Sequence, residues 1–190
     1  MTQPVSNTSP NPPSNTVDAA HAPNPVIGLS SEEKEERARQ ALMRAYVGQK
    51  YDKYQQLWAK SETRTSKQSW NWAAFFLSVL WLAYRKMYGY AALWVGLIVL
   101  EAIASYAIGY DESYSTIFSI VLTVIAGQLG NTMYLSHVNG KIKHIRSTQP
   151  HTHWISMLTK SGGTSWGAAI GVAVLIIALL FGVVIAFEGM

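Results

Sequence analysis

The chain has no cysteine. That excludes disulfides, thiolate catalysis and cysteine-ligated zinc or iron–sulfur centres. Charge is scarce as well: 14% of the 190 residues are charged, against roughly a quarter in soluble domains. Proline is nearly confined to one place, with six of seven in residues 1–29. That segment is rich in Asn, Ser and Thr, has one acid (Asp18) and has no Lys or Arg. It has too little apolar surface to offset its ordering entropy and is expected to be a disordered tail. It also lacks the basic and apolar regions of a signal peptide. No P-loop, G-x-G-x-x-G, H-E-x-x-H or G-x-S-x-G occurs, so the common nucleotide, zinc-hydrolase and serine-hydrolase motifs are missing. The formal charge of +4 sits beside apolar runs rather than in one stripe. A nucleic-acid partner is therefore not expected.

Hydrophobic residues, at 49%, gather in Trp72–Tyr84, Met87–Tyr110, Tyr114–Leu135 and Trp166–Phe187. The last three are long enough to cross a bilayer core, which takes about 20 helical residues. Trp72–Tyr84 is shorter, about 20 Å as a helix. It lies in Ser69–Trp94, a stretch holding nine of the 22 aromatics. Tryptophan and tyrosine favour the headgroup level, and Arg and Lys stems extend toward it. Residues 70–86 therefore read as an interfacial or re-entrant segment, anchored by Trp70, Trp72, Trp81, Arg85 and Lys86.

Before this segment, Ser30-Ser31-Glu32-Glu33 has the character of a helix start. Leu42, Ala45, Tyr46, Tyr54, Leu57 and Trp58 recur near helical spacing, and Gly48 interrupts them. Residues 30–61 are expected to form amphipathic cytoplasmic helices, followed by a polar linker at 62–69. Spans are expected at 87–110, 114–135 and 166–187, with Asp111-Glu112-Ser113 as a tight hairpin. Residues 136–165 form a basic loop. Arg64, Lys67, Arg85 and Lys86 precede the first span, and the hairpin after it has no Lys or Arg. The positive-inside rule then places the N-terminal half and residues 136–165 in the cytoplasm and the C-terminus outside. The expected fold is an all-α membrane protein. Three transmembrane helices follow the cytoplasmic helices and the short aromatic segment.

Five stretches carry a resemblance: LMRAYVGQKYD at 42–52, SWNWAAFF at 69–76, WLAYRKMY at 81–88, GNTMY at 130–134 and GGTSW at 162–166. Together they resemble a bacterial membrane family catalogued as domain of unknown function 2628. The resemblance implies a small bacterial inner-membrane protein. It carries no activity and no functional residues with it.

Glu101 is the one acid inside a span, and a carboxylate there is a candidate functional group by default. Thr123 lies at similar depth across the hairpin, and Ser105 is one turn away on the same face. Hydrogen bonds to these hydroxyls would make Glu101 a structural residue. Gln128 and Asn131 share a face of the second span and are flanked by Gly127 and Gly130. They read either as interhelical packing or as the polar lining of a pore. Ala92 with Gly96, and Gly167 with Gly171, are small-residue pairs suited to helix packing within the chain or in a homo-oligomer. His137, His144, His151 and His153 lack a placed third ligand, so they read as solvated and no metal or cofactor is expected. Lys141, Lys143 and Arg146 suit anionic headgroups.

Three functions compete. The first is a non-enzymatic scaffold or interaction protein, with the bilayer and an unidentified protein as partners. The second is a small oligomeric transporter or channel subunit using Glu101, Gln128 and Asn131. The third, ranked last, is a lipid-modifying enzyme.

Overall fold

The computed structural model describes residues 30–63 and 69–188. The expected tail at 1–29 and linker positions 64–68, with Arg64 and Lys67, lie outside them. Every regular element among the described residues is helical.

Two compact units divide the chain at Glu36–Arg37. Of the first, residues 30–36 are described, the opening of helix α1 (Ser31–Val47). The Ser30 hydroxyl accepts the Glu33 N–H at 3.2 Å, and the Glu33 carboxylate accepts the Ser30 N–H at 2.8 Å. This capping box occupies two backbone donors that a helix start otherwise leaves without partners.

The second unit begins within α1, where Leu42, Met43, Tyr46 and Val47 are buried. Gly48 then turns the chain at φ +74° into a single 3-10 turn, Gly48–Lys50, which leads into α2 (Tyr51–Thr63). Glycine takes that left-handed φ without a side-chain clash. In α2, Tyr51, Tyr54 and Trp58 fall on one face and are buried.

The aromatic stretch forms two six-residue helices, α3 (Trp72–Leu77) and α4 (Val79–Tyr84). The Asn71 side chain caps α3 by accepting the Ala74 N–H at 3.0 Å. Ser78 breaks the helix at φ 41°, ψ −116°, backbone that a non-glycine residue adopts at a cost of about 1–3 kcal/mol. Burial on both sides holds it there: Ala74 is 1% exposed and Leu82 2%. α4 ends with the Met87 N–H donating to Leu82 O and the Lys86 N–H donating to Ala83 O, with Lys86 at φ 58°. This is a Schellman closure built on lysine where glycine is usual.

Three further helices are long and apolar enough to cross a membrane: α5 (Tyr88–Ile108), α6 (Glu112–Thr148) and α8 (Trp166–Glu188). Gly109 closes α5, and Asp111 caps α6 by accepting the Ser113 N–H at 2.8 Å. α6 runs on past Leu135 to Thr148, into residues expected as part of the basic loop. The reason is periodicity: Tyr134, Val138, Ile142 and Ile145 are buried along one face of the extension. The remainder of the expected loop is a 3-10 turn at His151–His153 and helix α7 (Trp154–Ser161).

Buried residues of α1, α2, α4, the later part of α6 and α7 form a common core. Gly162-Gly163 seals it. The Gly163 N–H donates to the Tyr46 carbonyl at 2.7 Å, and a Cβ at Gly162 would overlap that same carbonyl group. The Ser165 N–H donates to Tyr84 O at 2.8 Å, which ties the start of α8 to the end of α4. α8 packs along one side on α4 and α5, yet none of its most apolar stretch is buried. Ile170, Val174, Ile177, Phe181 and Ile185 all face outward, an apolar surface larger than isolated surface residues explain.

Candidate functional site

Arg85 caps α4 and is 2% exposed. Its Nη2 donates to the Tyr54 hydroxyl at 2.8 Å. Its guanidinium carbon lies 4.6 Å from the Tyr54 ring centroid, 5.0 Å from that of Tyr134 and 5.9 Å from that of Tyr84. Burial holds the Tyr54 phenol above its ordinary pKa, against the opposing Arg85 charge. Tyr54 is therefore a neutral neighbour and no counter-ion. Nε and Nη1 find no hydrogen-bond partner among the described residues. Magnitudes show what this leaves unbalanced. Removing an ion from water costs several kcal/mol. Each ring returns about 0.5–2 kcal/mol, and each unpaired donor costs about 1–3 kcal/mol more.

Arg85 lines a cavity of about 620 Å³. Trp70, Trp72, Leu77, Leu80 and Trp81 supply the α3–α4 wall, Tyr54 and Leu57 the α2 wall, and Ala169, Ile170 and Ala173 the α8 wall. Lys50 and Lys53, both exposed, also line it, as do Asn71, Ala73, Tyr84, Asn131 and Trp166. No Asp or Glu is among the described lining residues. A cavity that is apolar over most of its wall, with a few convergent polar groups, is the usual form of a small-ligand site.

Asn131 forms the junction beside it. It is 2% exposed. Its Oδ1 accepts from Asn71 Nδ2 at 2.8 Å, and its Nδ2 donates to the Ser69 carbonyl at 3.0 Å and the Ser69 hydroxyl at 2.9 Å. Trp58 Nε1 donates to the Asn131 backbone carbonyl at 3.1 Å. The Asn71 N–H donates to Gly127 O at 2.7 Å. α3 approaches α6 so closely here that a Cβ at Gly130 would lie 2.8 Å from Ala74 Cβ, and one at Gly127 would lie 2.9 Å from Phe75 Cβ. The asparagines thus fix the α3 wall of the cavity against α6.

Residues 32–139 match the family described as "Protein of unknown function (DUF2628)". The chain belongs to this family. No curated protein and no solved structure matches it. Tyr54, Asn71, Arg85 and Asn131 all fall inside the DUF2628 match, as do Gly127 and Gly130. The α8 wall and the Gly162-Gly163 seal fall outside it.

The other residues singled out in the sequence do not converge on this site. Trp81 is 3% exposed and, like Arg85, is turned into the protein. Trp70 and Trp72 are exposed at 37% and 64%. Lys86 is half-buried. Glu101 accepts a hydrogen bond from the Tyr110 hydroxyl at 3.0 Å. Thr123, expected opposite it, bonds instead to Ile120 O in its own helix at 2.8 Å. Gln128 is exposed, one turn from buried Asn131. Ala92, Gly96, Gly167 and Gly171 are exposed, and Cβ atoms at the three glycines would meet nothing within 4 Å. His137 pairs with the Tyr46 hydroxyl at 2.9 Å, and burial pushes that phenol up to about 12. His151 packs on Trp154. Among the described residues no three His, Cys, Asp or Glu side chains gather as a metal set.

Lys50, Lys53, Tyr54, Asn71 and Tyr134 were not anticipated as site residues. One signal was available. Lys50, Lys53, Tyr54 and Leu57 follow i, i+3, i+4, i+7 spacing, which puts two cations beside an aromatic on one helical face.

Proposed function

We propose that this DUF2628 protein is a multi-pass protein of the bacterial inner membrane that acts as a non-enzymatic scaffold or interaction protein. α5, α6 and α8 cross the bilayer. The helices built on α1, α2 and α7 lie at the cytoplasmic face, and the C-terminus is external. The observation that carries the scaffold reading is the separation of the intramembrane polar groups. Glu101 is bonded to Tyr110 at the α5–α6 connection, Gln128 faces outward, and Asn131 is saturated by Ser69 and Asn71. Conduction or acid–base chemistry needs such groups aligned or within hydrogen-bond reach of one another.

Two measurements on the full chain test this. A cysteine at Ser69 is expected to react only with reagent on the cytoplasmic side, and one at Ser113 only with external reagent. Ser113 labelling from inside alone would invert the topology. In liposomes, wild type and Glu101→Gln are expected to give the same background solute flux. Flux in wild type that Glu101→Gln abolishes would replace the scaffold with a transporter.

A further inference from the structure

We infer that the Arg85 cavity seats one anionic phospholipid drawn from the surrounding bilayer. The argument starts from charge. Among the described residues, this guanidinium, 2% exposed and ringed by tyrosines, leaves Nε and Nη1 unpaired and has no carboxylate beside it in the cavity wall. Positive charge in a low-dielectric wall acts on an anion in the cavity without direct contact, because little water screens it. Lys50 and Lys53 add exposed ammonium groups to the same lining, and such groups suit a phosphate as point charges.

The rest of the wall identifies the ligand class. Most of the wall area is apolar, from Leu57, Leu77, Leu80, Ala169, Ile170, Ala173 and the tryptophan rings. The amides of Asn71 and Asn131 are bonded to each other and to Ser69, so a free phosphate or a sugar phosphate would leave most of that area unmatched. An acyl chain matches it. Ile170 belongs both to the cavity and to the outward apolar face of α8. A tail leaving the cavity therefore continues along Val174 and Ile177 without crossing a polar boundary. The inference depends on the membrane reading only for its source of lipid, and cysteine labelling tests that reading separately.

The experiment uses full-length protein, delipidated in mild detergent and titrated with phosphatidylglycerol or phosphatidylcholine, with retained lipid counted by native mass spectrometry. Wild type is expected to retain one phosphatidylglycerol saturably and to prefer it by about tenfold, the scale of one charge-assisted interaction. Arg85→Gln is expected to erase the preference and Arg85→Lys to keep most of it, a difference that a purely structural arginine would not produce. Lys50→Gln with Lys53→Gln is expected to lower the preference about threefold, as exposed charges do. Ala173→Phe fills the apolar arm and is expected to weaken both lipids alike. Excess inorganic phosphate is expected to displace neither. Equal retention of the two lipids by wild type overturns the proposal, as does a preference that survives Arg85→Gln. Displacement by phosphate assigns the site to a free anion and overturns the lipid. Should Arg85→Gln fail to fold, the lysine pair and Ala173→Phe decide: no change in either overturns the proposal.

Discussion

Gly127 with Gly130 in α6, and Gly167 with Gly171 in α8, are both pairs of small residues about one helical turn apart. Their surroundings differ completely. The α6 pair lies under α3, with Phe75 and Ala74 at contact distance, and the Asn71–Asn131 bond closes beside it. The α8 pair meets nothing within 4 Å. The difference comes from the facing chain. α3 brings a capped N-terminus, the small side chain of Ala74 and an asparagine whose amide needs a partner. No described helix covers the α8 pair. A small-residue pattern therefore permits close approach, and directional hydrogen bonds determine where it is used.

The comparison is broken most severely at Asn131. Asn131→Ala leaves the Asn71 amide and the Ser69 carbonyl without their partner in a buried setting. It is expected to cost on the order of 3 kcal/mol, measured by chemical denaturation in mild detergent. Gly130→Ala comes next. Its methyl must displace Ala74, and overpacking of this kind costs about 1–3 kcal/mol. Gly171→Ala in the same assay is expected to be neutral, or to stabilise by up to about 1 kcal/mol through helix propensity. Equal effects at Gly130 and Gly171 would end the distinction between the two pairs.

The smallest effect is expected at Asp111, outside both regions. The Ser113 hydroxyl, and then its N–H, hold the Asp111 carboxyl below its ordinary value. A depressed pKa stabilises the fold at pH above the unfolded value of about 3.9 and loses that contribution as pH falls through the folded value. Asp111→Asn keeps a capping acceptor but cannot titrate. Its thermal midpoint between pH 5 and 3 is expected to fall slightly less than that of wild type. Identical acid slopes would show that the cap contributes nothing through its charge.

Much of the architecture was legible because it rests on local rules. The presence of three long apolar helices, the turn at Gly48, the tight connection just before Glu112 and the helix start at Ser30 follow from hydropathy, glycine and capping residues alone. The end of α6 was hidden by polarity: from Ser136 to Thr148 polar residues far outnumber apolar ones, yet Val138, Ile142 and Ile145 keep the helical period. The site was least legible. Arg85-Lys86 between two apolar runs has the pattern of an interfacial pair, and nothing local shows that the closure of α4 turns Arg85 inward and leaves Lys86 half-buried. Its companions Tyr54 and Tyr134 lie dozens of residues away in the chain, and so does the Asn71–Asn131 pairing. Such contacts exist only once the chain has folded.

The unbroken course of α6 has a mechanical consequence. Its 37 residues make a rod about 55 Å long, longer than a hydrocarbon core of about 30 Å. No glycine break or proline softens it between Gly130 and Thr148 except Gly140. Pivoting at Gly127, a 10° tilt of the rod moves Thr148 by on the order of 5 Å. Tyr134 and Val138, gripped by the core, move with it. On the proposed membrane reading, a change in the tilt of α6, one response to hydrophobic mismatch, becomes a displacement of the α1–α2 surface. The helix is a lever whose long arm carries the core that it shares with α1 and α2.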